Sequence, residues 1–335
     1  MKILIVRVGA MGDVLHALPG VAALRKARPD WQIDWVVDPR WAPLLVDAQG
    51  TGPIVNRAHL AETKVWSKSP VSSATLRSIL ELRRALRSER YDLVVDMQGT
   101  LRSGVIGWMA GAPQFAGYSD PRESLAAWFY SRRLARKGTH VVEQGAALLS
   151  QATGIHLSPS DVLLPRDASA EDWAEDAIRS RPLLMLAPGA GWGAKQWPAE
   201  RFGEVARQIT LRPSDCVVNV NSADNILASR VVEASDGAAR MIASDIAQLV
   251  ALIRRTDLFV GGDSGPTHLA AAQAVPLVAL FGPTDPARNG PWGPGAKIIL
   301  RDPASRTSYK RASAMDAGLA NITVTEVIEA LRRLI

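Results

Sequence analysis

The chain has 335 residues, a hydrophobic content of 47% and one cysteine, Cys216. That length predicts two domains, and a lone cysteine in the apolar run 216–220 excludes a disulfide framework and a cysteine-ligated metal site. The formal net charge of +6 belongs to the first half: residues 1–150 carry 20 Lys and Arg against 13 Asp and Glu, and residues 151–335 carry 19 against 20.

Apolar β-rich runs alternate with helical patterns. In the first half, Ile3–Val8, Ile33–Val37, Tyr91–Asp96 and Phe115–Tyr118 are predicted strands, with helices near 14–27, 74–89 and 122–134. The second half restarts the pattern with Leu183–Ala187, Val217–Val220, Ala239–Ile242, Leu258–Gly261 and Leu277–Phe281. Its helices fall near 199–210, 224–235, 246–255, 264–274 and 323–334. Continuous apolar strands without alternation indicate parallel sheets covered on both faces. The expectation is α/β, with two doubly wound Rossmann-like domains facing a central cleft. Residues 1–160 form the first, 181–335 the second, and 161–180 a linker that includes a solvated acidic helix, Glu171–Arg179.

A basic first half predicts an anionic partner, either a phosphorylated substrate or an anionic membrane face. Nucleic acid is set aside, because no recognisable binding motif interleaves the basic residues. No signal segment is read before the first strand, and no apolar run approaches the roughly 20 residues that span a bilayer. A cytoplasmic protein, soluble or peripheral, is expected.

The opening strand runs into Gly9-x-x-Gly12-Asp13. This is neither G-x-G-x-x-G nor a P-loop, and Asp13 would repel a phosphate. A carboxylate at the carboxyl end of a parallel strand is read as a base or a hydroxyl-binding group. Its structural alternative is a cap on the helix that follows.

In the second half, Phe259-Val-Gly-Gly-Asp-Ser-Gly-Pro-Thr-His268 is another strand, glycine turn and helix. Ser264, Gly265 and Thr267 present a helix N-terminus, Pro266 suits its first turn, and the free N–H groups form an anion site. His268 is placed to donate to a phosphate oxygen, unless it is simply a satisfied buried histidine. The loop Ala187-Pro-Gly189-Ala190-Gly191-Trp-Gly-Ala-Lys195 brings backbone and one point charge to a ligand, making Lys195 a phosphate contact rather than a solvated lysine. Leu280-Phe-Gly-Pro-Thr-Asp-Pro-Ala-Arg288 walls the same site. With no Asp-x-Asp pair and five scattered histidines, no metal site is expected. No G-x-S-x-G elbow is present, which argues against acyl hydrolysis.

These segments carry a resemblance. Met11-Gly-Asp-Val-Leu-His-Ala-Leu-Pro19, Asp96-Met-Gln-Gly-Thr-Leu-Arg-Ser103, Lys195-Gln-Trp-Pro198, Gly262-Asp-Ser-Gly-Pro-Thr-His-Leu-Ala270 and Phe281-Gly-Pro-Thr-Asp285 are similar to the ADP-heptose:lipopolysaccharide heptosyltransferases of glycosyltransferase family 9. Asp120-Pro-Arg-Glu-Ser-Leu-Ala-Ala-Trp-Phe-Tyr130 looks like the branch that adds the first heptose to Kdo2-lipid A. The resemblance implies a GT-B fold, inversion, no metal and no cofactor. It implies ADP-heptose as donor, with Kdo2-lipid A or another anionic glycolipid as acceptor, at the inner leaflet of the cytoplasmic membrane. Asp13 becomes the general base. Donor contacts would be Lys195, Asp263, Ser264, Gly265, His268, Gly189, Ala190, Gly191, Asp224 and Ser244, and acceptor contacts Gly12, Arg57, Lys64, Arg102 and Arg122. Trp128, Phe129 and Leu125 beside Arg132, Arg133, Arg136 and Lys137 read as a basic amphipathic helix, facing a membrane or its own sheet.

Two departures from the family pattern stand out. Ala190 and Gly191 replace threonine hydroxyls, and Asp224 or Asn225 replaces a ribose-binding glutamate. The open alternatives are heptosyltransferase II or another family-9 transfer, a GT-B-like nucleotide-sugar epimerase, and a non-catalytic module that binds lipopolysaccharide or an anionic surface through the basic half. An NAD dehydrogenase is opposed by Asp13.

Overall fold

The computed structural model describes residues 1–209, 215–221 and 225–335. The chain divides between Pro165 and Arg166 into two compact units, each built on one six-stranded sheet. In the first, β1 (Lys2–Val6), β2 (Gln32–Val37), β3 (Arg57–Leu60), β4 (Leu93–Asp96), β5 (Gln114–Tyr118) and β6 (Arg132–Leu134) lie parallel in the order β3-β2-β1-β4-β5-β6. The connecting helices are α1 (Met11–Ala27), α2 (Thr63–Lys68), α3 (Ser73–Glu89), α4 (Leu101–Met109) and α5 (Val141–Thr153).

The second unit opens with α6 (Ala168–Ala177). Its strands are β7 (Leu183–Ala187), β8 (Asp215–Val220), β9 (Arg240–Ala243), β10 (Leu258–Gly262), β11 (Leu277–Leu280) and β12 (Lys297–Leu300). They lie parallel in the order β12-β11-β10-β7-β8-β9. The remaining helices are α7 (Ala199–Gln208), α8 (Ile226–Ala234), α9 (Ile246–Arg254), α10 (Gly265–Ala272), α11 (Pro286–Asn289), α12 (Ala317–Asn321) and α13 (Val324–Arg332). The expected pair of doubly wound, GT-B-type sheets is borne out.

Both sheets are apolar through their centres. Ile3, Leu4, Ile5 and Val6 are fully buried, as are Leu183, Met185, Leu186, Phe259 and Val260. In each unit the chain starts at a central strand, winds outward, then returns to the other side of that strand. The reversal falls between β1 and β4 in the first unit and between β7 and β10 in the second. At such a switch point adjacent loops leave the carboxyl ends in opposite directions and open a crevice for a ligand.

Several elements differ from expectation. The helix expected near 122–134 is a 3-10 turn, Ser124–Phe129, followed by β6. Arg132 draws this segment into the sheet by donating to the carbonyls of Ala152 (2.7 Å) and Gln151 (2.8 Å) on α5. Residues 168–177, expected in the linker, form α6 against α9, where Glu171 pairs with Arg254 and Arg255 and Glu175 with Arg255 at 2.8 Å. The short edge strands β3, β6 and β12 and the helices α4 and α5 were not expected. Arg-Ala-His-Leu and Arg-Arg-Leu are too polar to announce a strand, as edge strands often are. Cys216 lies on β8, and burial pushes its thiol up to about 12. Among the described residues no helix is long and apolar enough to cross a membrane.

Candidate active site

In the first unit the turn after β1 is pinned from both sides of the switch point. Gln98, just beyond β4, accepts from Val8 N–H at 2.8 Å through Oε1, and Trp35 Nε1 donates to the Arg7 carbonyl at 2.9 Å. A Cβ on Gly9 would come within 3.0 Å of the Trp41 indole nitrogen, so only glycine lets the chain pass that ring without displacing it. The helix α1 begins at Met11, three residues earlier than expected, which places Asp13 in its first turn.

There the Asp13 carboxylate does two things. One oxygen accepts from Ala10 N–H at 3.1 Å, and the other meets Arg7 Nη2 at 2.7 Å. It remains 44% exposed, whereas Arg7 is 18% exposed and also donates to the Met97 carbonyl at 2.5 Å. The helix end favours the negative charge. Capping and display are therefore the same geometry: the backbone contact and Arg7 fix an acid whose face stays open. Gly12 precedes it, half-buried.

Three of the four basic residues assigned to the acceptor follow carboxyl strand ends of this sheet. Lys64 lies in α2 after β3, Arg102 at the start of α4 after β4, and Arg122 after β5; all three are exposed. Among the described residues none is held in an ion pair, in contrast to Arg40 on Asp38 and Arg136 on Asp120. Arg57 is elsewhere. It is the first residue of β3, at the amino edge of the sheet, paired with Glu89. The structure does not bring Arg57 to Asp13, because a strand separates the two edges.

In the second unit β10 lies between β7 and β11, so the loops after those three strands meet. Asp263 is the centre of the meeting. Its carboxylate pairs with Lys195 from the loop after β7, faces His268 Nε2 at 3.1 Å from α10, and accepts from Thr284 Oγ1 at 2.6 Å from the loop after β11. Asp263 and His268 are buried, and the Lys195 side chain is 10% exposed. Burial opposes the charge on Asp263. The His268 hydrogen bond and charge, and then the Lys195 charge, outweigh it and hold the carboxyl well below the usual carboxylate range. Lys195 is thus a buried, oriented cation, with its ammonium also 4.0 Å from the Trp192 ring centre. That ring contact is a cation–π contact.

Ser264 is the N-cap of α10, but its side chain makes no capping hydrogen bond to the helix backbone. Ser264, Gly265 and Pro266 are half-buried at the sheet edge, in the same turn and helix start as Asp263 and His268. The glycine loop is open: Gly189 and Gly191 are exposed, no atom lies within 4 Å of where a Cβ would stand, and Ala190 between them is half-buried. Gly193 is the opposite case, since a Cβ there would meet the Ser313 carbonyl at 2.0 Å. Ala194 donates to the Ala312 carbonyl at 3.1 Å and accepts from Asp316 N–H at 3.3 Å, so a late segment of chain clasps the Lys195 turn. Ser244 follows β9, its hydroxyl accepting from Asn219 at 2.7 Å. Asn225 caps α8, and Asp224 lies outside the described residues.

Sequence reasoning missed Arg7 and Gln98, and it named Thr284 only as part of a wall. Arg7 carried one signal, a charge at the end of an apolar strand six residues before an acid. Among the described residues no group of three or more His, Cys, Asp or Glu side chains is gathered for a metal ion.

Residues 79–317 match the model of glycosyltransferase family 9 (heptosyltransferase). Lipopolysaccharide heptosyltransferase 1 of Pseudomonas aeruginosa is 31% identical, over 88% of this chain and 82% of that protein. Lipopolysaccharide heptosyltransferase 2 of Salmonella typhimurium is 26% identical, over 100% of this chain and 99% of that protein. The structure of Escherichia coli heptosyltransferase WaaC with ADP superposes with a TM-score of 0.81 at 22% identity, covering 100% of both chains.

Proposed function

The chain belongs to glycosyltransferase family 9, the heptosyltransferases, and from that premise we propose that it transfers L-glycero-D-manno-heptose from ADP-heptose to a Kdo hydroxyl of Kdo2-lipid A, with inversion and without a metal. The observation that carries the reading is the Asp263 cluster beside the uncapped end of α10. It provides an oriented lysine, a histidine and helix N–H groups at one sheet edge, the donor set that a diphosphate requires. The ADP in the WaaC structure supports an ADP-linked donor, and the name of the lipopolysaccharide heptosyltransferase 1 relative supports heptose transfer in lipopolysaccharide synthesis.

In this reading Asp13 takes the proton of the acceptor hydroxyl as that oxygen attacks the anomeric carbon. The bond from that carbon to the β-phosphate oxygen breaks in the same step, and ADP leaves carrying the electron pair. Arg7 fixes the orientation of the base. Lys195, His268 and the α10 end meet the charge that develops on the diphosphate. Asp263 is kept ionised to orient Lys195 and His268, and with its own charge directed at them it does not repel the donor. The open backbone at Gly189, Ala190 and Gly191 supplies N–H groups where hydroxyls are lacking. Lys64, Arg102 and Arg122 pair with acceptor carboxylates and phosphates. The acceptor keeps the enzyme at the inner face of the cytoplasmic membrane.

The test is turnover with ADP-heptose and Kdo2-lipid A, with and without EDTA, following ADP release and the mass of the lipid. A gain of one heptose with EDTA present is expected. Transfer only to an acceptor that already carries heptose would assign heptosyltransferase 2 instead, the name carried by the Salmonella relative.

A further inference from the structure

One face of the first unit is apolar where it meets solvent. Along α4, Leu101 (40%), Val105 (38%) and Trp108 (56%) are exposed at a spacing that places them on one helical stripe. The 3-10 turn Ser124–Phe129, which packs against α4 with Phe129 beside Trp108, exposes two further apolar side chains, Leu125 and Trp128, the latter 77% exposed. The two elements are locked together by small residues. A Cβ on Gly104 would stand 2.8 Å from the Phe129 ring of the turn, and one on Gly107 would stand 2.3 Å from Phe115 of β5, so α4 lies close against both the turn and the sheet. Ala126, Ala127 and Tyr130 take the inward positions, and the Tyr130 hydroxyl donates to buried Asp96 at 2.7 Å. Trp128 is left outside by that packing, so its exposure is built into the fold.

The surroundings of the stripe are basic. Arg102 follows Leu101, Arg122 adjoins Gly99 at the amino end of α4, and Arg133 donates to the Ala127 carbonyl at 3.2 Å; all three are exposed. The acids nearby are engaged: Glu123 accepts from Leu101 N–H at 2.8 Å, and Asp120 meets Arg136 at 3.1 Å. Two exposed tryptophans and three exposed aliphatic side chains with exposed arginines beside them match an anionic bilayer surface, where indole rings settle at headgroup depth and Arg meets lipid phosphate.

We infer that the α4 stripe and Trp128 form a lipid-docking face that seats the first unit on anionic phospholipid, with the amino end of α4 and Arg122 turned toward the headgroups. This deepens the proposed function by naming the surface, but binding to lipid does not depend on the acceptor being Kdo2-lipid A.

The full chain is sedimented with vesicles of phosphatidylglycerol and phosphatidylethanolamine, and with vesicles of phosphatidylcholine alone. Expected is co-sedimentation with the anionic vesicles only, weakened about tenfold or more in Trp108→Ala/Trp128→Ala and abolished in Trp108→Ala/Trp128→Asp. Circular dichroism checks folding, and turnover of detergent-dispersed Kdo2-lipid A by the variants is expected to match the parent. Equal sedimentation of parent and variants would overturn the inference. So would a dimer that the Trp128 substitution dissolves, since a second copy would then be the occupant. Loss of turnover in the parent would instead strike the proposed function and leave the docking result standing.

Discussion

Asp13 and Asp263 both sit at the switch point of their own sheet, yet they are held in opposite ways. Asp13 has one backbone contact and one arginine, and nearly half of its surface is open. Asp263 is buried and meets three side chains, two from neighbouring loops and one from α10. The difference separates two uses of a carboxylate. An acid that must exchange a proton with a ligand needs an accessible oxygen, whereas one that organises cations must never protonate.

Substitutions separate the two roles. Asp13→Ala should lower turnover most, by about 10²–10⁴-fold for loss of a positioned base, with donor KM and thermal stability little changed; full turnover in this variant would end the assignment. Lys195→Ala should act on both binding and folding. Removing one partner of a buried ion pair costs about 3–5 kcal/mol, so calorimetry should show a destabilised second unit together with a raised donor KM. If Lys195→Ala left both unchanged, the Asp263 cluster would be incidental.

Acid should sharpen the contrast. Asp263 has a folded-state carboxyl below its unfolded value, so its stabilisation is full above the unfolded pKa of about 4 and is lost as pH falls through the folded one. Asp96 has the other sign. Burial raises it, despite hydrogen bonds from the Tyr130 and Ser103 hydroxyls and the Gly99 and Gln98 N–H groups. Its favourable contribution is therefore present at low pH and fades as pH rises through the folded value. Acid titrations of Asp263→Asn and Asp96→Asn should shift the unfolding profile in opposite directions; parallel shifts would refute the distinction.

The smallest effects belong to the surface cations. Arg122→Ala, Lys64→Ala or Arg102→Ala should each raise acceptor KM about tenfold, as for loss of a charge-assisted contact, and leave donor KM alone. Arg57→Ala, at the far edge on Glu89, should change either constant less than twofold. An Arg57 effect equal to that of Arg122 would place the acceptor on the wrong edge.

Much of this was legible in the sequence for a physical reason. Central strands such as Ile3–Val6 and Leu183–Ala187 are buried on both faces and carry their own signature, and the glycine turns that follow them mark where ligands sit. Lys195, Asp263, Ser264 and His268 could be named because each lies in or beside such a turn. Their mutual contacts could not, since they depend on β10 lying between β7 and β11. The same holds for Arg57, whose charge is plain in the sequence but whose edge is set by the start of a short strand that its own residues hardly announce. Residues 122–134 misled for a related reason: a run of aromatic and basic residues has helical spacing, and only the bonds from Arg132 to α5 reveal the turn and strand.

The clasp on the Lys195 turn has a consequence for the order of assembly. Ala312 and Asp316 hold that turn through Ala194, so a chain emerging from the ribosome cannot complete it until those residues have been made. Asp13 and its arginine need nothing beyond the first unit, and domains generally fold as units from the N-terminus during synthesis. The base is in place early, the diphosphate grip is finished late, and a chain stopped short of the clasp would carry an acid with nothing to act on.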